Sequence, residues 1–122
     1  MQPITIKNTN FPLVNLPKQT FVTEVLLLDP ELSSFEVITE NRTYTFIRTG
    51  TTPESFPLWY VLDGQPDLIG KEVGVLSLSQ EGLSHKIINR GDSLAIYLDE
   101  GSTLSAKMWH TSKILNFSVL KY

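Results

Sequence analysis

The sequence predicts an all-β protein, an antiparallel jelly-roll-like β-sandwich of about eight strands with almost no helix. Three observations carry this expectation. Apolar and polar residues alternate with a period of two in several segments, the spacing that sends successive side chains to opposite faces of a strand. Turn signals rich in Gly, Pro, Asn and Asp punctuate the chain at roughly eight- to twelve-residue spacing, as in sandwiches and barrels. No segment holds a 3.6-residue apolar period between helix caps.

The elements follow in chain order. Residues 1–18 combine a short alternating run, Ile4-Thr5-Ile6, with Pro3, Pro12 and Pro17. Prolines at that density cannot donate to a sheet interior, so this stretch reads as an extended N-terminal arm ahead of a sandwich domain over 19–122. The arm carries Phe11, Leu13, Val14 and Leu16, too apolar to stay in water, and so packs along its own domain or on a neighbouring subunit. From Gln19 to Asp29, a β-branched run stopped by Asp29-Pro30 puts Phe21, Val25 and Leu27 on one face and is read as a central strand. Ser34–Glu40 and Thr43–Thr49 flank Asn41-Arg42 as a β-hairpin, with Phe35 and Val37 opposite Tyr44 and Phe46. The loop GTTPESFP then delivers a strand over Leu58–Leu62, and Asp63-Gly64-Gln65-Pro66-Asp67 turns the chain into another over Val73–Leu78. Leu83–Ile88 follows.

The last third is the most regular. In Ser93–Asp99, Leu94, Ile96 and Leu98 form one row; Leu104, Ala106 and Met108 continue the pattern, then Leu115, Phe117 and Val119. Leu120 and Tyr122 make the other face of the final strand apolar too. Val25, Leu27, Phe46, Leu94, Ile96, Leu98 and Phe117 are the expected core. Gly91-Asp92 ahead of an alternating strand, and Phe117-Ser118 ahead of Tyr122, resemble the end of a tumour necrosis factor-like jelly roll, a fold shared with complement-type globular heads. The resemblance covers about the last quarter of the chain. It implies a C-terminal strand running through the centre of a homotrimer, and a place at a virion surface as a cement, decoration or fibre-type protein.

Composition narrows the function classes. The chain has 122 residues, 41% of them hydrophobic, enough for one domain with one core. Formal net charge is -3 and the ten Lys and Arg residues are scattered singly, so no phosphate-tracking stripe exists and nucleic acid is not an expected partner. With no Cys, disulfides, thiolate metal sites and a Cys nucleophile are excluded. No apolar run approaches a membrane span, and the start MQPITIKNTN lacks the regions of a signal peptide, so a virion or cytoplasmic location is expected without a membrane partner.

The titratable residues form no catalytic or metal-binding pattern in the sequence. His85 and His110 fall on different strands without HxH or HxxxH spacing, which argues against a zinc site or a catalytic pair. Asp92 and Asp99 stand roughly 23 Å apart along an extended strand and cannot share a metal; Asp99 with Glu100 reads as a solvated turn. Arg90-Gly91-Asp92 spells an integrin-recognised tripeptide, yet immediately before a strand its Gly serves a turn and its Asp a cap. Asn41-Arg42-Thr43 and Asn116-Phe117-Ser118 match the glycosylation pattern by chance.

The expectation is therefore a non-enzymatic assembly protein, a self-associating homotrimer that joins a larger protein shell, with no cofactor. Its interface residues would be Phe11, Leu13, Trp59, Tyr60, Trp109, Leu120 and Tyr122, since large aromatics and surplus apolar faces anchor interfaces. The alternative is a carbohydrate- or ligand-binding module that stacks sugars on Trp59 or Trp109.

Overall fold

Period-two alternation becomes eleven strands in the computed structural model, which describes residues 18–52, 55–98 and 107–121. All the pairings are antiparallel, and the described residues contain no helix, so none is long and apolar enough to cross a membrane. The expected all-β, antiparallel, sandwich-like fold is what forms.

The first layer runs β1 (Lys18–Val22), β11 (Ile114–Lys121), β3 (Ser34–Thr39), β4 (Thr43–Thr51) and β5 (Pro57–Asp63) in that spatial order. The second is built from β6 (Glu72–Ser79), β9 (Ser93–Leu98) and β10 (Lys107–His110), with β7 (Gly82–Ser84) on the other side of β6. Strand β6 joins the two. Its first residues, Glu72 and Val73, pair with β5, whereas Gly74–Leu78 pair with β9, so one strand crosses from layer to layer. The crossing falls at Gly74, opposite Tyr97, and a Cβ there would overlap the Tyr97 ring. Glycine is required because the aromatic ring takes the place of a side chain on that pleat. A two-stranded ribbon, β2 (Glu24–Leu26) with β8 (Ile87–Asn89), inserts Val25 and Ile88 into the core.

The core sits between the layers. Phe35, Val37, Phe46, Trp59, Val61 and Phe117 come from the first, Val73, Leu94 and Ile96 from the second, all essentially inaccessible. Phe35 stacks tilted on Phe46 at 5.1 Å and edge-on against Trp59 at 4.8 Å, the offset geometries that ring quadrupoles favour. Six of the seven expected core residues are fully buried, and Leu98 packs partly buried at the margin.

The hairpin register matches expectation, with Phe35 opposite Phe46 and Val37 opposite Tyr44. The Thr39 amide and hydroxyl both donate to the Arg42 carbonyl, which closes the turn without glycine. Two readings change. The run Gln19–Asp29 is not one central strand: it breaks at Thr23 into the edge strand β1 and the ribbon strand β2, and Phe21 ends up exposed while Val25 and Leu27 are buried. Alternation is a local signal and does not reveal that a chain leaves one sheet for another. Leu115 was expected inside with Phe117 and Val119; a bulge between Ile114 and Asn116 shifts the phase, so Ile114 takes the core position and Leu115 is exposed. The strand count exceeds eight because β2, β7 and β8 have only 3 residues each, too short for a period to register.

Candidate functional site

The expected interface residues separate into different environments. Trp59 is wholly enclosed, with the Arg48 guanidinium 5.9 Å from its ring centroid, so it presents no face to a partner or a sugar. Its indole N–H has no acceptor among the described residues, a cost that the burial of so large a ring offsets. Tyr60, one residue on, points outward and is 38% exposed. Trp109 is partly buried against the core. Leu120 is only 5% exposed within the protomer, which leaves little of it for a second copy to cover. Phe11, Leu13 and Tyr122 lie outside the described residues, as do Asp99, Glu100, Leu104 and Ala106.

Two outward surfaces remain. On the first layer, Phe21, Tyr60 and Leu62 are exposed, and polar residues are interspersed among them. The Gln19 amide donates at 2.9 Å both to Glu36 and to Ser118, and Thr49 donates to Glu72 at 2.6 Å. On the second layer, register places Leu83 beside Leu78, Leu76 beside Ala95, and Tyr97 beside both Gly74 and Met108. These side chains form a stripe across β7, β6, β9 and β10 without a charge among them. Leu83 is 52% exposed and Met108 46%.

The third feature is a polar groove of about 810 Å³ where the β6–β7 hairpin, β8 and the turn before β9 meet. The turn is Asn89–Asp92, the tripeptide segment. Gly91 adopts φ +91°, a conformation that glycine accepts freely. The Asp92 carboxylate accepts from Ser77 Oγ and from the Asn89 amide, both at 3.0 Å, so it is committed inward. Gly91 N–H donates to the Ile114 carbonyl and Ile114 N–H to the Asp92 carbonyl, which clamps the turn against the start of β11. Arg90 and Lys113 therefore project into the groove from two backbone segments locked side by side. Among the described residues, neither cationic head has a hydrogen-bond or ion-pair partner.

The histidines stay apart: His85 packs its ring on Phe56 at 4.3 Å, and His110 is exposed on β10. Among the described residues, no three His, Asp or Glu side chains converge as a metal site. Burial pushes the Tyr44 phenol above the ordinary 10.0, against a smaller opposing pull from Arg42. It belongs to the core, stacked 6.2 Å from Phe46.

Sequence reasoning missed both the stripe and the groove. Tyr97 was visible in the second row of its strand, but Met108 was read with the inward row of Leu94 and Ile96 and turns out exposed opposite Tyr97, and only the register shows that the stripe residues adjoin. The groove unites residues from positions 77 to 113, which no spacing in the chain announces. Compared with protein-family models, curated proteins and solved structures, the chain matches none.

Proposed function

We propose that this chain is a non-enzymatic structural module that assembles with copies of itself, as a homotrimer, through the outward face of β7, β6, β9 and β10. The observation that carries the reading is the uncharged row of Leu83, Leu78, Leu76, Tyr97 and Met108 on adjoining strands, exposed at Leu83 and Met108 and half-buried between them, apolar area of the kind soluble monomers seldom leave uncovered. A closed three-fold arrangement would bury one copy of the stripe in each subunit and leave no open-ended contact. The virion surface, as the place of a cement, decoration or fibre-type protein on a larger shell, is the setting implied by the resemblance of the last quarter to tumour necrosis factor-like jelly rolls, although in those the C-terminal strand, here β11 of the first layer, would line the three-fold axis instead of this face. The carbohydrate alternative loses its Trp59 platform, since that ring is enclosed.

Light scattering on a sizing column tests the reading. The protein is expected to elute at three times its 13.8 kDa mass at micromolar concentration. Replacing Leu83 and Met108 together with Ser should return it to the protomer mass. A wild-type monomer at that concentration, or a variant that stays trimeric, rejects this face as the interface.

A further inference from the structure

We propose that the groove beside the Asn89–Asp92 turn binds an acidic saccharide, with the sugar carboxylate bridging Arg90 and Lys113. Arg90 and Lys113 line the groove from adjoining backbone segments, so one anion seated between those segments is within reach of both cations. Their proximity is built in: the two backbone hydrogen bonds between the turn and Ile114 fix it, and Asp92 is spent on Ser77 and the Asn89 amide rather than on either cation. The planar fork of Arg90 suits a carboxylate, and Lys113 adds a point charge at its flank.

The remaining lining selects the rest of the ligand. Asn89 and Ser93 offer an amide and a hydroxyl to sugar hydroxyls, and the groove has the volume of a small-ligand site. Among the described residues no aromatic ring lines it and none forms a deep apolar pocket, which leaves a neutral sugar without a stacking surface and a peptide side chain without a pocket there. Recognition therefore depends on charge and weakens as salt rises. The carboxylates of Glu81, on the facing hairpin, and of Asp92, held by Ser77 and the Asn89 amide, oppose the anion and set an upper limit on affinity.

The test is a titration of the isotopically labelled full chain by heteronuclear NMR. A trimer of galacturonic acid is compared with a neutral galactose trimer and with a glutamate tripeptide. The uronate should shift the amides of Asn89–Ser93 and Lys113, bind more weakly at high salt, and outcompete both other probes. Replacing Arg90 and Lys113 together with Gln should weaken it about tenfold or more, the scale of lost charge-assisted bonds. Glu81→Gln should tighten it, an effect of opposite sign that does not depend on the double variant folding well. The proposal fails if the uronate shifts nothing at about 10 mM, a concentration that would reveal even very weak binding. It also fails if the neutral sugar or the peptide binds as well, or if the shifts lie elsewhere.

Discussion

The two layers have equivalent inner faces and unlike outer ones. Inside, both present closely packed apolar rows, Phe35, Phe46 and Phe117 against Leu94 and Ile96. Outside, the first layer sets Phe21 apart from Tyr60 and Leu62 by a polar network of Gln19, Glu36 and Ser118, whereas the second places Leu83, Leu78, Leu76, Tyr97 and Met108 on adjoining strands, with Ser93 and His110 at their margins. The first layer exposes more apolar side chains than the second, yet adjacency rather than number makes a surface that another molecule can cover. Inner rows specify the fold; the register of outer rows specifies what the fold can meet.

Substitutions can break or sharpen that comparison, and the largest effect is expected within. Ile96→Ala removes a fully buried side chain from the second layer's inner row and should cost about 2–5 kcal/mol in denaturant unfolding. A loss under about 0.5 kcal/mol, the range of neutral surface changes, would mean the layers do not share one core. Next comes Gly74→Val, which drives a branched side chain into the Tyr97 ring at the crossing of β6. Overpacking of this kind costs about 1–3 kcal/mol, and Tyr97→Ala in the same chain should recover part of it, a coupling that a double-mutant cycle would measure. Phe21→Ser should change stability by no more than about 0.5 kcal/mol and leave the oligomeric mass untouched; if it dissociates the assembly, the first layer holds the interface and the comparison is inverted.

The smallest effect is one of pH. Because burial raises the Tyr44 phenol above 10.0, the unfolded chain ionises there first, and the folded state releases that proton only at higher pH. Its stabilising contribution is complete below pH 10 and is lost as pH climbs through the folded value. Alkaline unfolding followed by phenolate absorbance should show this component, and Tyr44→Phe should remove it.

Most of the fold was legible because alternation and turn chemistry are local. Leu94 and Ile96, the Asn41-Arg42 hairpin and the turn at Gly91-Asp92 were all readable from neighbours in sequence, and each is where the pattern put it. What failed to show was the phase slip at Leu115 and the break at Thr23, since a one-residue bulge or a change of sheet leaves composition unaltered. Leu68 illustrates the same limit, a loop residue between β5 and β6 that is fully buried with no period to mark it. The candidate sites were less legible still: Arg90 and Lys113 become neighbours only through the pairing of a turn with the start of the last strand.

The place of β11 has a consequence for how the molecule is made. It lies between β1 and β3, so a strand synthesised long after both occupies an interior position of the first layer, and Gln19 must wait for Ser118, 99 positions later. Until then β3 presents an open edge, and Phe35 and Val37 lack the cover of Phe117 and Val119. Long-range pairing of this kind is slow, and it leaves a nascent chain open to association with its neighbours at the free edge. Synthesis stalled before Ile114 would therefore release an aggregation-prone product rather than a smaller folded one, and the quality of the final eight residues of sheet sets the yield of the whole.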